Sequence, residues 1–259
     1  MKIGLKLWST NDFYINHAVK LFEKKVFDYI ELFTEPNSFN SHAFYWKDIG
    51  IPFILHAPHS MQGLNLSLPE QQSKNKLYCE EIQLYFDLLK PDYIIFHPGI
   101  LGTAHETIRQ INLLKIDFPE LFNKTLIENK PEFGLHQEKC IGASVEELSG
   151  IIQQTQLKFC FDLGHAICYA AANGLAYQNV INKFLKLQPT LFHLSDGLTS
   201  SFLDSHMHLG KGDFNLKWLL GIIPQHASVT IETIKNSKAN LNDFEEDVSV
   251  LRRIINGTN

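Results

Sequence analysis

The side chains best suited to chemistry stand where apolar runs stop. Residues 158–165 read K-F-C-F-D-L-G-H. Phe159, Cys160 and Phe161 are bulky and apolar and suit a short buried strand. The run stops on Asp162, Gly164 is expected to turn the chain, and His165 follows three residues after the carboxylate. Asp162 is also placed to cap a helix over the Ala-rich residues from Ala166. The same event recurs along the chain: His56, His97, Glu128, His193 and Glu232 each end an apolar run, and Asp204-x-His206 lies in a polar stretch. Imidazoles and carboxylates crowded into a half-buried site are unfavourable unless paired. A metal ion relieves that crowding. Imidazole plus carboxylate suits zinc, manganese or iron, and the absence of a Cys ligand fits a catalytic site better than a structural one.

Eight apolar runs supply the framework, with strands expected at 3–8, 29–33, 52–56, 93–97, 124–128, 158–162, 190–194 and 228–232. Helical patterns fall between them, at about 13–25, 43–48, 69–90, 104–114, from Ser144, 175–187, 216–223 and 241–255. Pro69 suits a first helical turn, and Ser144 with Glu147 forms a capping box. Eight strand–helix units of roughly 32 residues predict a (β/α)8 barrel. The strands read as continuous apolar runs, as parallel strands buried on both faces do. No composition break marks a linker, so residues 1–259 are expected to form one domain. An open doubly wound sheet is the alternative, but no G-x-G-x-x-G follows the first strand. In a barrel the carboxyl ends of the strands converge. That would bring together His56, His97, Glu128, Asp162, His193 and Glu232 from strands three to eight, with His165, Asp204 and His206 just beyond.

Composition narrows the function. The 259 residues are 44% hydrophobic and 20% charged, enough for a full core. No apolar run reaches membrane-spanning length, and the opening M-K-I-G-L-K-L reads as a strand rather than a signal peptide. Four cysteines without C-x-x-C or disulfide spacing point to a reducing, cytoplasmic setting. Net charge is −5 and only three arginines exist, Arg109, Arg252 and Arg253, which disfavours duplex DNA as a partner. Seven of the twelve histidines (His56, His59, His97, His165, His193, His206 and His208) fall at or just beyond expected strand ends.

These motifs resemble the xylose isomerase-like TIM barrels, a superfamily of sugar isomerases and epimerases that also includes endonuclease IV. The matching pieces are H-A-P at 56–58, H-P-G at 97–99, I-E-N at 127–129, D-L-G-H-A at 162–166, H-L-S-D at 193–196, D-S-H-M-H-L-G-K-G at 204–212 and I-E-T at 231–233. Endonuclease IV holds three zinc ions with nine ligands. The resemblance implies that His56, His97, Glu128, Asp162, His165, His193, Asp204, His206 and Glu232 occupy those positions. The epimerases use a one-metal subset, matched by Glu128, Asp162, His193 and Glu232, with the two glutamates as acid and base. One to three divalent ions, zinc or manganese, are therefore expected.

The departures favour a small substrate. His59 replaces the aromatic residue of the endonuclease, Ser205 replaces its basic residue, and the opening lacks the H-V-S segment. Glu128-Asn-Lys130-Pro131 is similar to an E-x-K-P of xylose isomerases, where the Lys polarises a carbonyl. In a strand extended past Glu128, Lys130 would share its face. The chain is thus expected to be a metal-dependent isomerase or epimerase of a sugar, sugar phosphate or related polyol, with Glu128, Glu232 and Lys130 catalytic. The alternative is an endonuclease IV-like phosphodiester hydrolase. Trp8, Phe33, Phe133 and Tyr169 are candidates to stack on a sugar, and His59 and His208 candidates for further acid–base or supporting roles.

Overall fold

The computed structural model describes residues 1–257. Eight parallel strands close into one barrel in sequence order. They are β1 Lys2–Trp8, β2 Tyr29–Phe33, β3 Phe53–His56, β4 Ile94–Phe96, β5 Thr125–Glu128, β6 Lys158–Asp162, β7 Leu191–Leu194 and β8 Ser228–Ile231. The helices around it are α1 Ile15–Glu23, α2 Phe39–Lys47, α3 Gln72–Leu89, α4 Ala104–Asp117, α5 Pro119–Asn123, α6 Val145–Thr155, α7 Leu163–Ala172, α8 Tyr177–Leu185, α9 Leu216–Ile222 and α10 Asn242–Ile255. Among the described residues no helix is long and apolar enough to cross a membrane.

The strand period of two builds the site. Tyr29, Ile54, Ile95, Leu126, Cys160 and Leu191 pack together as one buried layer inside the barrel. Two residues later each of those strands, or the residue just past it, presents Glu31, His56, His97, Glu128, Asp162 or His193. The strand β1 adds Lys6 and the end of β8 adds Glu232. An apolar plug thus carries a ring of polar groups. Gly4 makes room for the plug: a Cβ there would stand 2.4 Å from the Tyr29 ring. The Tyr29 hydroxyl reaches across to Thr230 Oγ1 at 3.0 Å. Residues facing outward dock the helices. Phe159 and Phe161 of β6 lie 6.0 and 5.3 Å from Phe184 of α8.

The largest departure from the expected elements follows β6. The sequence expects a turn at Gly164 and a helix at 175–187 there, with Asp162 capping a helix from Ala166 as the other reading. Instead α7 starts at once, because Asp162 Oδ1 accepts from His165 N at 2.6 Å and caps it. Gly164 lies inside that helix, and the turn falls at Gly174, whose φ of +63° favours glycine. Smaller shifts are the start of α2 at Phe39, the extension of α4 to Asp117, and the added helix α5. Pro69 opens a 3-10 turn, Pro69–Gln71, just before α3. Ser144 caps α6, accepting from Glu147 N at 3.2 Å.

Candidate active site

Eight side chains rim the upper layer, and two of them escape a search of strand ends. Lys6 and Glu31 sit two residues inside Trp8 and Phe33, so β1 and β2 present their charges one layer deeper. A charged residue inside an otherwise apolar strand was the available signal. The Lys6 ammonium pairs with Glu31 Oε1 at 2.5 Å and also with Glu232 Oε1. Burial would strip its charge, but Glu232 and Glu31 outweigh burial and hold it above the usual lysine range. Burial would likewise raise Glu31, but His193 and Lys6 hold it down to about 2.

The deepest group centres on His193, which is fully buried. Its Nε2 lies 3.0 Å from Glu31 Oε2. A carboxylate there accepts the Nε2–H hydrogen bond and leaves Nδ1 turned toward the funnel. Glu232 Oε1, Glu128 Oε2 and Asp162 Oδ2 lie 3.4, 3.5 and 3.8 Å from Nδ1. This Nδ1 is buried and has no hydrogen-bond partner among the described residues. Three carboxylates converge on it, and burial together with Asp204 and the two glutamates pushes Asp162 up to about 6 despite His165.

A second group comes from α7 and the loop after β7. His165 Nδ1 meets the Asn129 carbonyl at 2.8 Å and His206 Nδ1 meets the Glu232 carbonyl at 2.8 Å. A carbonyl only accepts, so each ring presents Nε2 elsewhere. Both Nε2 atoms face Asp204 Oδ2, at 3.3 and 2.9 Å. That oxygen too is buried without an aligned hydrogen bond among the described residues. Burial opposes charge on these rings, yet Asp162 and its neighbours raise His165 to about 10, and Asp204 raises His206 to about 9. The cluster calls for positive charge.

The third group lies on the opposite wall. His56 Nε2 and His97 Nε2 stand 3.2 and 3.1 Å from Glu128 Oε2, and His56 Nδ1 donates to the Ala57 carbonyl at 2.9 Å. Burial would raise Glu128, but His97 and His193 hold it well below the usual carboxylate range. His59 packs beside these two rings.

Ligand atoms in several of these triplets lie within 4.8 Å of one another, close enough to hold a metal ion. The donor set fits such an ion. Ring nitrogens anchored on the far side and orphaned polar atoms facing inward are what a cation site requires. All nine residues expected as ligands therefore gather at one end of the barrel.

Above them is a cavity of about 210 Å³ lined by Lys130, Phe133, Met61 and Ile100 as well as by His56, His97 and Glu232. Lys130 reaches it for a different reason from the one expected. The strand β5 stops at Glu128, and Lys130 N instead donates to the Gly142 carbonyl at 3.2 Å in the following loop. Of the four aromatic candidates only Phe133 lines the cavity; Phe33 backs His56 and His59, at 5.6 and 4.7 Å between ring centroids. Trp8 packs on Phe33, and Tyr169 packs against the core. His208 is turned away: Nδ1 meets Asp247 Oδ2 and Nε2 meets Asn236 Nδ2, each at 2.8 Å. Its two-residue spacing from His206 fails because His206 has φ +44°, which breaks the extended path. None of the three arginines lines the cavity.

Similar architectures occur among solved structures. A D-tagatose 3-epimerase-like protein superposes with a TM-score of 0.74 at 18% identity, covering 99% of this chain and 97% of the other. Endonuclease IV from Thermus thermophilus superposes with a TM-score of 0.71 at 18% identity over 100% of both chains. The 3-keto-D-glucoside 4-epimerase from E. coli gives 0.67 at 12% identity, covering 97% and 99%. At such identities the likeness is one of fold. No curated protein matches the chain by sequence. The sequence profile of the xylose isomerase-like TIM barrels matches residues 27–254, and the chain belongs to that family.

Proposed function

We propose that this protein is a divalent-metal-dependent isomerase or epimerase of a small polyhydroxylated substrate, a sugar or sugar phosphate. The observation that carries the reading is the placement of Lys130 on the same cavity that Glu128 and Glu232 line. His56, His97, Glu128, Asp162, His165, His193, Asp204, His206 and Glu232 are the proposed metal-holding residues. A divalent zinc or manganese ion bound there would supply Lewis-acid polarisation of neighbouring substrate oxygens.

The chain's own groups do the rest. Lys130 is placed to donate to a carbonyl oxygen of the substrate. Lys6 engages Glu232 Oε1, so Oε2 is the oxygen of Glu232 left for proton transfer at the adjacent carbon. Glu128 is the second proton carrier. Phe133 and Ile100 give the cavity apolar walls beside the substrate.

A second reading, hydrolysis of a phosphodiester, is favoured by the His165–Asp204–His206 group, which a one-metal epimerase does not need. The small cavity and the lack of arginine along it support a compact ester over duplex DNA.

One experiment separates the readings. Metal-loaded protein is incubated in D2O with a panel of ketoses and ketose phosphates, and in parallel with bis-p-nitrophenyl phosphate and abasic-site DNA. Deuterium entering the carbon next to the carbonyl, and absent in Glu232→Gln, is expected. Phosphodiester cleavage without deuterium uptake would overturn the isomerase reading in favour of the second.

A further inference from the structure

We infer that His59 is a direct ligand which, with His56, His97 and Glu128, completes a four-coordinate cation site on one wall of the funnel. The inference concerns ligation alone and holds under either chemistry above.

The three rings form a compact set. Ring centroids are 4.4 Å apart for His59 and His97, 5.1 Å for His56 and His59, and 5.0 Å for His56 and His97. One ring nitrogen from each lies within 4.8 Å of the others. Glu128 Oε2 adds an anionic oxygen 3.2 Å from His56 Nε2 and 3.1 Å from His97 Nε2. Tetrahedral zinc with bonds of ~2.0–2.1 Å needs donors ~3.4 Å apart, so the three ring nitrogens have to approach one another by ~1.4 Å at most.

The backbone fixes His59 in this position. It is extended, with φ −76° and ψ 165°, and its carbonyl accepts from Gln62 N at 2.9 Å to open the turn Ser60–Gln62. Phe33 supports the ring edge-on at 4.7 Å. Yet neither ring nitrogen of His59 has a hydrogen bond among the described residues, whereas His42, His56, His165, His206 and His208 each anchor one. His59 is half-buried at the edge of the cavity, and an imidazole that turns a ring nitrogen to within 4.8 Å of those of two others, rather than to a protein partner, is placed to share an ion with them.

The consequence is chemical. Two histidines and a glutamate would leave a position open for water, whereas three histidines and a glutamate close the coordination shell. This wall would then hold its ion without activating water, leaving reactivity to the half of the funnel around Glu128, Asp162, His193 and Glu232.

Cobalt(II) tests this on the full chain after chelator treatment. Wild type titrated with Co²⁺ is expected to show the intense visible bands of tetrahedral cobalt. In His59→Phe, which keeps the ring packing, part of that intensity disappears and one site weakens by at least about tenfold. In His59→Cys a new near-ultraviolet thiolate-to-cobalt band appears, which covers the case in which the Phe variant fails to fold. Unchanged cobalt spectra and affinities in folded His59→Phe, or no thiolate band in folded His59→Cys, would overturn the assignment. Failure of wild type to bind cobalt at all would overturn it together with the metal reading.

Discussion

Glu31 Oε2 accepts from His193 Nε2 at 3.0 Å, and this contact decides that Nδ1 faces Glu128, Asp162 and Glu232. A carboxylate behind an imidazole fixes its tautomer and raises its strength as a ligand. Glu31→Gln can present an amide N–H to Nε2 and reverse the tautomer. It should weaken divalent-metal binding by about 10- to 100-fold, measured by titration calorimetry with Zn²⁺. Equal affinity in the two proteins would show that Glu31 does not act through His193.

The barrel plug predicts a paired effect. Gly4→Ala places a Cβ 2.4 Å from the Tyr29 ring and should destabilise the protein by about 1–3 kcal/mol in urea unfolding. Adding Tyr29→Leu removes the clashing ring atoms and should recover part of the loss, so the two changes combine non-additively. Strictly additive costs would mean the clash is relieved elsewhere.

Asp196 braces the loop that carries Asp204 and His206. Its Oδ1 accepts from Gly197 N at 2.8 Å and Phe214 N at 3.2 Å, and its Oδ2 from Gly210 N at 2.8 Å and Gly212 N at 3.0 Å. Removing the carboxylate leaves those N–H groups without their acceptor, some of them buried. Asp196→Ala should cost about 2–4 kcal/mol and open residues 198–206 to limited proteolysis. A cleavage pattern identical to wild type would argue that the loop is held by other contacts.

Lys235 gives a pH signature. Burial pulls its ammonium down to about 8 against the pull of Asp243, Asp247 and Glu232. The folded state therefore binds fewer protons than the unfolded state between about pH 8 and the ordinary lysine range near 10.4. Its penalty is fully present below pH 8 and fades as pH rises through that window. Stability of wild type relative to Lys235→Met should rise from about pH 8 to about pH 10, read by chemical denaturation at each pH. A flat difference across the window would place the folded value at the ordinary one.

The strands could be read from the sequence because each is a short apolar run, and apolar runs spaced for βα units have few ways to bury both faces other than a parallel barrel. The residues His56, His97, Glu128, Asp162, His193 and Glu232 were legible for the same reason: each interrupts such a run where burial ends. Their convergence follows from closure of the barrel, with all strands pointing one way. After β6 the sequence left two readings open, a turn at Gly164 and a helix capped by Asp162, and the cap prevails because its hydrogen bond to His165 N is local and starts α7 at once.

Other features needed the three-dimensional arrangement. Lys6 and Glu31 became part of the site only when β1, β2 and β8 met, since a charge inside a strand has no visible partner in the chain. His208 was drawn away by Asp247, which lies on α10 at the far end of the sequence. Which nitrogen of His56, His165, His193 and His206 looks inward was settled by Glu31 and by the carbonyls of Ala57, Asn129 and Glu232. The sequence by itself thus determined the fold and the kinds of groups at its mouth, because periodicity and residue type are local properties. Only the tertiary structure decided their partners and orientation, because those depend on contacts between strands and loops far apart in the chain.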